Sequence, residues 1–154
     1  MVSKGFKKII GLRDLYPFKR EDEEKFKNRI KKSILKTTYP DKIAIHVAIM
    51  EIEAWFIADK NLFQKINPIL TFEYIQQQLG HDLKKKDPEL EYDHPTIIIR
   101  SIYNLAGKTY KKNIGDCYKI ADNIDFEYLY FDVKKENKIH SFFDFVDSLE
   151  DISD

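Results

Sequence analysis

Residues 43–59 read IAIHVAIMEIEAWFIAD, and this stretch decides the fold class. The apolar run Ile43–Ala44–Ile45–His46–Val47–Ala48–Ile49 has the composition of a strand buried in a parallel sheet. Glu51, Glu53 and Trp55 follow at once. Acids placed just beyond a buried strand fall at the carboxyl edge of the sheet, where open α/β sheets bind their ligands. Glu51, Trp55 and Asp59 are also spaced i, i+4, i+8, so a helix starting here would carry them on roughly one face.

Upstream, residues 7–12 (KKIIGL) form a second strand candidate, which runs into Arg13–Asp14–Leu15–Tyr16–Pro17, a strand end closed by a proline. Asp14 then sits at the tip of the first strand. Residues 20–36 are expected to be helical: Phe26, Ile30 and Ile34 make an apolar stripe among charges, and the acids at 21–24 suit the helix dipole. Tyr39–Pro40–Asp41 breaks the chain before the strand at 43–49. Strand, helix and strand in this order define a βαβ unit with parallel strands and a right-handed crossover.

Downstream the pattern turns mostly helical. Residues 51–59 are short and apolar-rich, and 61–66 continue them or make a separate turn. Thr71 caps a helix over 72–79 that Gly80 ends. The charged segment 81–93, with Lys84–Lys85–Lys86, reads as a solvated loop. Pro95 opens a helix through Ala106 that Gly107 ends. A further helix is expected near 115–123, and the last over 141–149, with Phe142, Phe145, Val146 and Leu149 as its stripe. Residues 126–133 fit strand or helix equally. The expected architecture is a small α/β domain with a helix-rich C-terminal half.

The 154 residues suffice for one domain with a real core. A 43% hydrophobic content excludes intrinsic disorder. With 26 basic and 26 acidic residues, global charge argues for neither nucleic acid nor a membrane. A lone cysteine, Cys117, excludes an intramolecular disulfide framework and a multi-cysteine zinc site, and it reads as a small half-buried side chain. Neither a signal peptide nor a membrane-length apolar run is present, so a soluble cytoplasmic protein is expected. No Walker motif, glycine-rich phosphate loop or Ser–His–Asp spacing points to ATP hydrolysis or acyl transfer.

In a parallel pair the strand tips are neighbours, since strands lie about 4.8 Å apart. Asp14 at one tip and Glu51 or Glu53 at the next would repel each other. A divalent cation resolves that repulsion, and oxygen-only ligands select Mg²⁺ or Mn²⁺. Such an ion activates water or steadies a phosphoryl oxygen. The alternative is structural: Asp14 caps the turn before Pro17, and Glu51 and Glu53 serve the dipole of a helix's first turn.

Four blocks carry a resemblance: Ile10–Gly11–Leu12–Arg13–Asp14–Leu15–Tyr16–Pro17, then His46 through Phe56 with its EIEAWF core, then His94–Pro95, then Ala106–Gly107–Lys108–Thr109–Tyr110–Lys111–Lys112. The chain resembles an uncharacterised bacterial family similar to the TOPRIM (topoisomerase–primase) fold of OLD-type nucleases, whose members resemble ATPase-associated accessory proteins of anti-phage defence. The resemblance implies a small parallel sheet with helices on both faces and a Mg²⁺ site built on an early Glu, an Asp-x-Asp and further acids. Asp14 matches the first Asp of Asp-x-Asp, Tyr16 stands where the second would be, and Glu51 or Glu53 matches the downstream acid. The early Glu has no counterpart. On this reading residues 1–154 are a single TOPRIM-like domain, N-terminally incomplete: a truncated product, a domain completed by another polypeptide, or a vestige.

Lys108, Tyr110, Lys111 and Lys112 follow Gly107 in an expected loop, and His94 and Arg100 add to the same stretch of sequence. Lysines and an aromatic residue on a loop suit phosphate contact and base stacking, and equally a solvated face with Tyr110 half-buried. His46 reads as a buried neutral histidine with one hydrogen-bond partner, and Trp55 as core. The first functional expectation is a metal-dependent nucleic-acid phosphodiesterase, or its vestige, in phage defence or DNA repair. Asp14, Glu51 and Glu53 would be its metal and catalytic residues. The second is a non-catalytic module that docks on an ATPase partner through Tyr128, Tyr130 and Phe131. The third is a small-molecule phosphoesterase with the same acids.

Overall fold

A computed structural model describes residues 6–150, and in it the chain divides into two compact units. The first contains residues up to Met50 together with the C-terminal segment from His140, and the second runs from Glu51 to Ile139.

The first unit is built on two parallel strands, β1 (Ile9–Asp14) and β2 (Ile43–Ala48), paired in register from Ile9 with Ile43 to Asp14 with Ala48. The expectation of two parallel strands joined through a helix therefore holds. Leu15 N–H donates to Ala48 O at 2.9 Å and Tyr16 N–H to Met50 O at 2.8 Å, so the pairing runs on past the strand ends. The crossover carries a 3₁₀ turn (Arg20–Asp22) and helix α1 (Glu23–Ile34), with Glu23 and Glu24 in its first turn. The helix is shorter than expected at both ends, because the first turn tightens to 3₁₀ and the last gives way to turns after Leu35. Leu15, Phe26, Val47, Ile49 and Met50 form the core, with Phe18 and Ile30 packed against it. Phe18 and Phe26 stack with ring centroids 4.8 Å apart. Gly11 lies opposite Ile45, whose Cδ1 is 2.6 Å from where a Cβ on residue 11 would be, so the isoleucine lies over the bare glycine backbone. The C-terminal helix of this unit (His140–Glu150) buries Phe142 and Phe143; the expected stripe residues Phe145 and Val146 are half-buried and Leu149 is exposed. Ser141 Oγ accepts the Ile49 N–H at 3.2 Å.

The second unit is helical throughout its described elements: α2 (Glu53–Ala58), α3 (Leu62–Ile66), α4 (Phe72–Leu79), α5 (Pro88–Glu91), α6 (Pro95–Leu105), α7 (Ile114–Ala121) and α8 (Phe126–Tyr128), which continues as a π turn over Leu129–Val133. Local signals set these boundaries. Thr71 Oγ1 accepts the Tyr74 N–H, and Gly80 closes α4 in the left-handed region at φ 72°. Asn113 and Asp125 cap α7 and α8 in the same side-chain manner. Residues 126–133, open to either reading in sequence, are helical because Asp125 caps them and Leu129 and Val133, one turn apart, are the buried positions. The segment 81–93, expected as a loop throughout, includes the short helix α5, which starts at Pro88 behind the cap Asp87. Cys117 is exposed rather than half-buried. Among the described residues no helix is long and apolar enough to cross a membrane.

Candidate functional site: a buried carboxylate network

The chain leaves β2 through Met50, a non-glycine residue at φ 60°, and delivers Glu51 and Glu53 into the interior of the second unit. Glu51 is 7% exposed and Glu53 0%. Trp55 is also core, and Asp59 is fully buried. The three residues expected on one helix face do not share a helix, since α2 spans only Glu53–Ala58. Glu51 precedes it, and Asp59 follows it as the C-cap.

Each buried acid has donors aimed at it. Glu51 accepts the Thr96 backbone N–H through Oε2 and the Thr96 hydroxyl through Oε1, both at 2.8 Å. Thr96 lies in the first turn of α6, where N–H groups have no intrahelical partner. His94, at the cap position, makes no side-chain cap bond, so Glu51 supplies the anionic cap from another part of the chain. Glu53 accepts the Tyr110 hydroxyl through Oε1 at 2.9 Å and the Lys112 ammonium through Oε2 at 2.9 Å. The same ammonium lies 3.6 Å from Glu51 Oε1. One cation thus serves both carboxylates. Asp59 accepts the Asn61 and Asp125 N–H groups, tying α2 to the starts of α3 and α8. Glu89 takes the Trp55 indole N–H at 2.9 Å, and Asp116 takes the Lys111 N–H at 2.6 Å.

The electrostatic reason for this arrangement is direct. An ionised carboxylate removed from water is costly unless it is paired and hydrogen-bonded, and Glu51 and Glu53 are both. Burial pushes the Tyr110 phenol far above its ordinary range, and the neighbouring Glu53 carboxylate adds to the shift, so Tyr110 remains a proton donor to Glu53 at any physiological pH. Lys112 holds a left-handed backbone, φ 55°. That conformation costs a non-glycine residue about 1 kcal/mol.

The residues singled out in sequence are distributed as follows. Asp14 ends β1 in the first unit, while Glu51 and Glu53 open the second. The structure brings Glu51, Glu53, Tyr110 and Lys112 into one network, with Thr96 as the member that sequence reasoning missed. The pattern Pro95–Thr96 at a helix start was the available signal, but its partner lies 45 residues away. Tyr110 is fully buried and Lys112 engages the acids, so these two do not form an open phosphate-contacting loop. Lys111 and Lys108 are exposed; the Lys111 backbone N–H is the Asp116 donor, and Lys108 Nζ donates to Ile66 O at 3.2 Å. Arg100 is exposed and its Nε donates to Tyr110 O at 3.4 Å, while His94 is exposed at the start of α6. Of the aromatics considered for docking, Phe131 is exposed, and Tyr128 and Tyr130 are half-buried. His46 is half-buried rather than buried, and its Nε2 has no hydrogen-bond partner. Among the described residues no three Asp, Glu, His or Cys side chains gather so as to hold a metal ion.

Comparisons with protein families, with curated proteins and with solved structures found nothing that matches this chain.

Proposed function

We propose that this chain is a non-catalytic α/β interaction module, a TOPRIM-like vestige whose acids have passed from metal binding to structural work. The observation that carries the reading is the Lys112 ammonium, shared between Glu53 at 2.9 Å and Glu51 at 3.6 Å. A lysine at this point supplies the positive charge that a divalent ion would bring, and Thr96 and Tyr110 saturate the remaining carboxylate oxygens. A protein that works by binding fits the ATPase-associated setting implied by the sequence resemblance. The test is thermal denaturation with and without millimolar Mn²⁺ or Mg²⁺, beside a cleavage assay on single- and double-stranded DNA and on RNA. No rise in melting temperature and no cleavage are expected. A metal-dependent rise that Glu53→Gln abolishes would overturn the reading.

A second reading retains the metal-dependent phosphodiesterase. It is favoured by the same geometry seen from the other side: two carboxylates already converge on one cation position. Mg²⁺ or Mn²⁺ displacing Lys112 would take up oxygen ligands there, as hard cations prefer.

A further inference from the structure

The first unit carries an apolar groove of about 760 Å³ between α1 and the two strands. Its floor is aliphatic, with Leu12, Ile30, Ile34, Ile43 and Ile45, and its charged lining residues are Arg13 and Arg29, with no acid among them. We propose that this groove is the docking site for an acidic amphipathic helix of a partner protein.

Three observations lead there. The first is incomplete cover: every residue of β1 and the first four of β2 are at most half-buried, although strands of a parallel sheet are ordinarily covered on both faces. The second is charge. After the first turn of α1 every charged residue on the helix is basic: Lys25, Lys27, Arg29, Lys31 and Lys32. Lys27 is engaged by Glu23, and Lys25 lies 3.9 Å from Asp22, whereas Arg29 is exposed at the groove. Over the whole unit the charges nearly balance, with 13 Lys and Arg against 11 Asp and Glu, so the positive character is local to α1 and to the two arginines that line the groove. The third is the chemistry of the floor. Phe26 is buried beneath Arg13, whose guanidinium carbon stands 5.0 Å from the ring centroid, and Phe18, the other aromatic residue of the lining, is half-buried against Phe26, so the floor offers mainly aliphatic surface rather than aromatic faces for stacking a base. An aliphatic floor is best covered by aliphatic side chains, and a rim of guanidinium groups by carboxylates, which accept from them in a bidentate manner. A helix with apolar residues at i, i+3, i+4 and i+7 and acids beside them meets both demands.

The inference rests on the reading of the chain as a binding module, and its test is independent of metal. A fluorescein-labelled 16-residue peptide, with Leu at those spacings and Glu elsewhere, is titrated with the full chain by anisotropy. A peptide with Lys in place of Glu and a 16-nucleotide oligothymidylate serve as comparisons. The acidic peptide is expected to bind at least tenfold more tightly than either. The double variant Arg13→Glu/Arg29→Glu, both exposed positions, is expected to weaken it at least tenfold and to reverse the preference between the two peptides. Ile34→Ser is expected to weaken it severalfold without that reversal. Tighter binding of the oligothymidylate, binding indifferent to the two arginines, or no binding of the acidic peptide would each overturn the proposal. Metal-dependent cleavage with intact peptide binding would overturn the module reading alone.

Discussion

Lys112 and Glu53 are joined at 2.9 Å across 59 residues of sequence, one a third exposed and held in a left-handed turn, the other wholly buried. The pair explains why a lysine occupies a backbone conformation that favours glycine: the charge is needed at that point. Removing one partner of a buried pair leaves an uncompensated charge, although the exposure of Lys112 softens the loss.

Lys112→Met is therefore expected to destabilise the protein by about 1–3 kcal/mol in urea denaturation followed by Trp55 fluorescence. Lys112→Gly separates the two effects, because it relieves the backbone while removing the charge. It too is expected to be less stable than the parent. A glycine variant as stable as the parent would mean that the ammonium contributes no more than the backbone relief of about 1 kcal/mol.

Thr96→Val keeps the backbone N–H that Glu51 accepts and removes only the hydroxyl. The expected loss is about 1.5–3 kcal/mol, the range for a hydrogen bond to a charged group. Loss of amide protection should concentrate in the first turn of α6, measured by hydrogen exchange. Uniform loss across the second unit would argue against a local capping role.

Tyr103 is buried with its ring 5.4 Å from that of Tyr110, and its hydroxyl has no hydrogen-bond partner. Tyr103→Phe is expected to be neutral or stabilising by up to about 1 kcal/mol, since a desolvated hydroxyl is removed at little change of shape. Burial, assisted by Asp116, pushes this phenol up to about 12. Above the ordinary value of 10 the unfolded chain releases this proton first, so stability falls as pH rises from about 10 through about 12. Tyr103→Phe should flatten part of that alkaline decline in melting temperature.

His46 gives the opposite dependence. Burial lowers its pKa below the ordinary 6.5, with Lys8 and Lys27 acting the same way and Asp144 opposing them. The unfolded state then binds a proton at a pH where the folded state does not, so the contribution is intact above about 6.5 and is lost as pH falls below it. Its ring meets Phe145 edge-on at 5.8 Å. His46→Leu should reduce the loss of melting temperature between pH 7 and pH 5. An unchanged acid slope would place the sensitivity elsewhere.

The sequence by itself determined the elements whose signals are local. The apolar run 43–49 and its βαβ frame were legible because a parallel strand of such a sheet is a continuous apolar run, although only its end is buried as expected and its first four residues are half-buried. The helix 72–79 was legible to the residue because Thr71 and Gly80 mark its ends chemically. Pro95 and Gly107 bracketed α6 in the same way. Tertiary structure decided what the acids do. Glu51 and Glu53 two residues apart look alike in sequence, yet one caps α6 through Thr96 and the other meets Tyr110 and Lys112. Those partners lie 45 to 59 residues away, and no periodicity records them. The same holds for Asp59, whose second oxygen accepts the Asp125 N–H across 66 residues. A carboxylate's role depends on which donors the folded chain brings within about 3 Å, and that is a property of packing rather than of spacing along the chain.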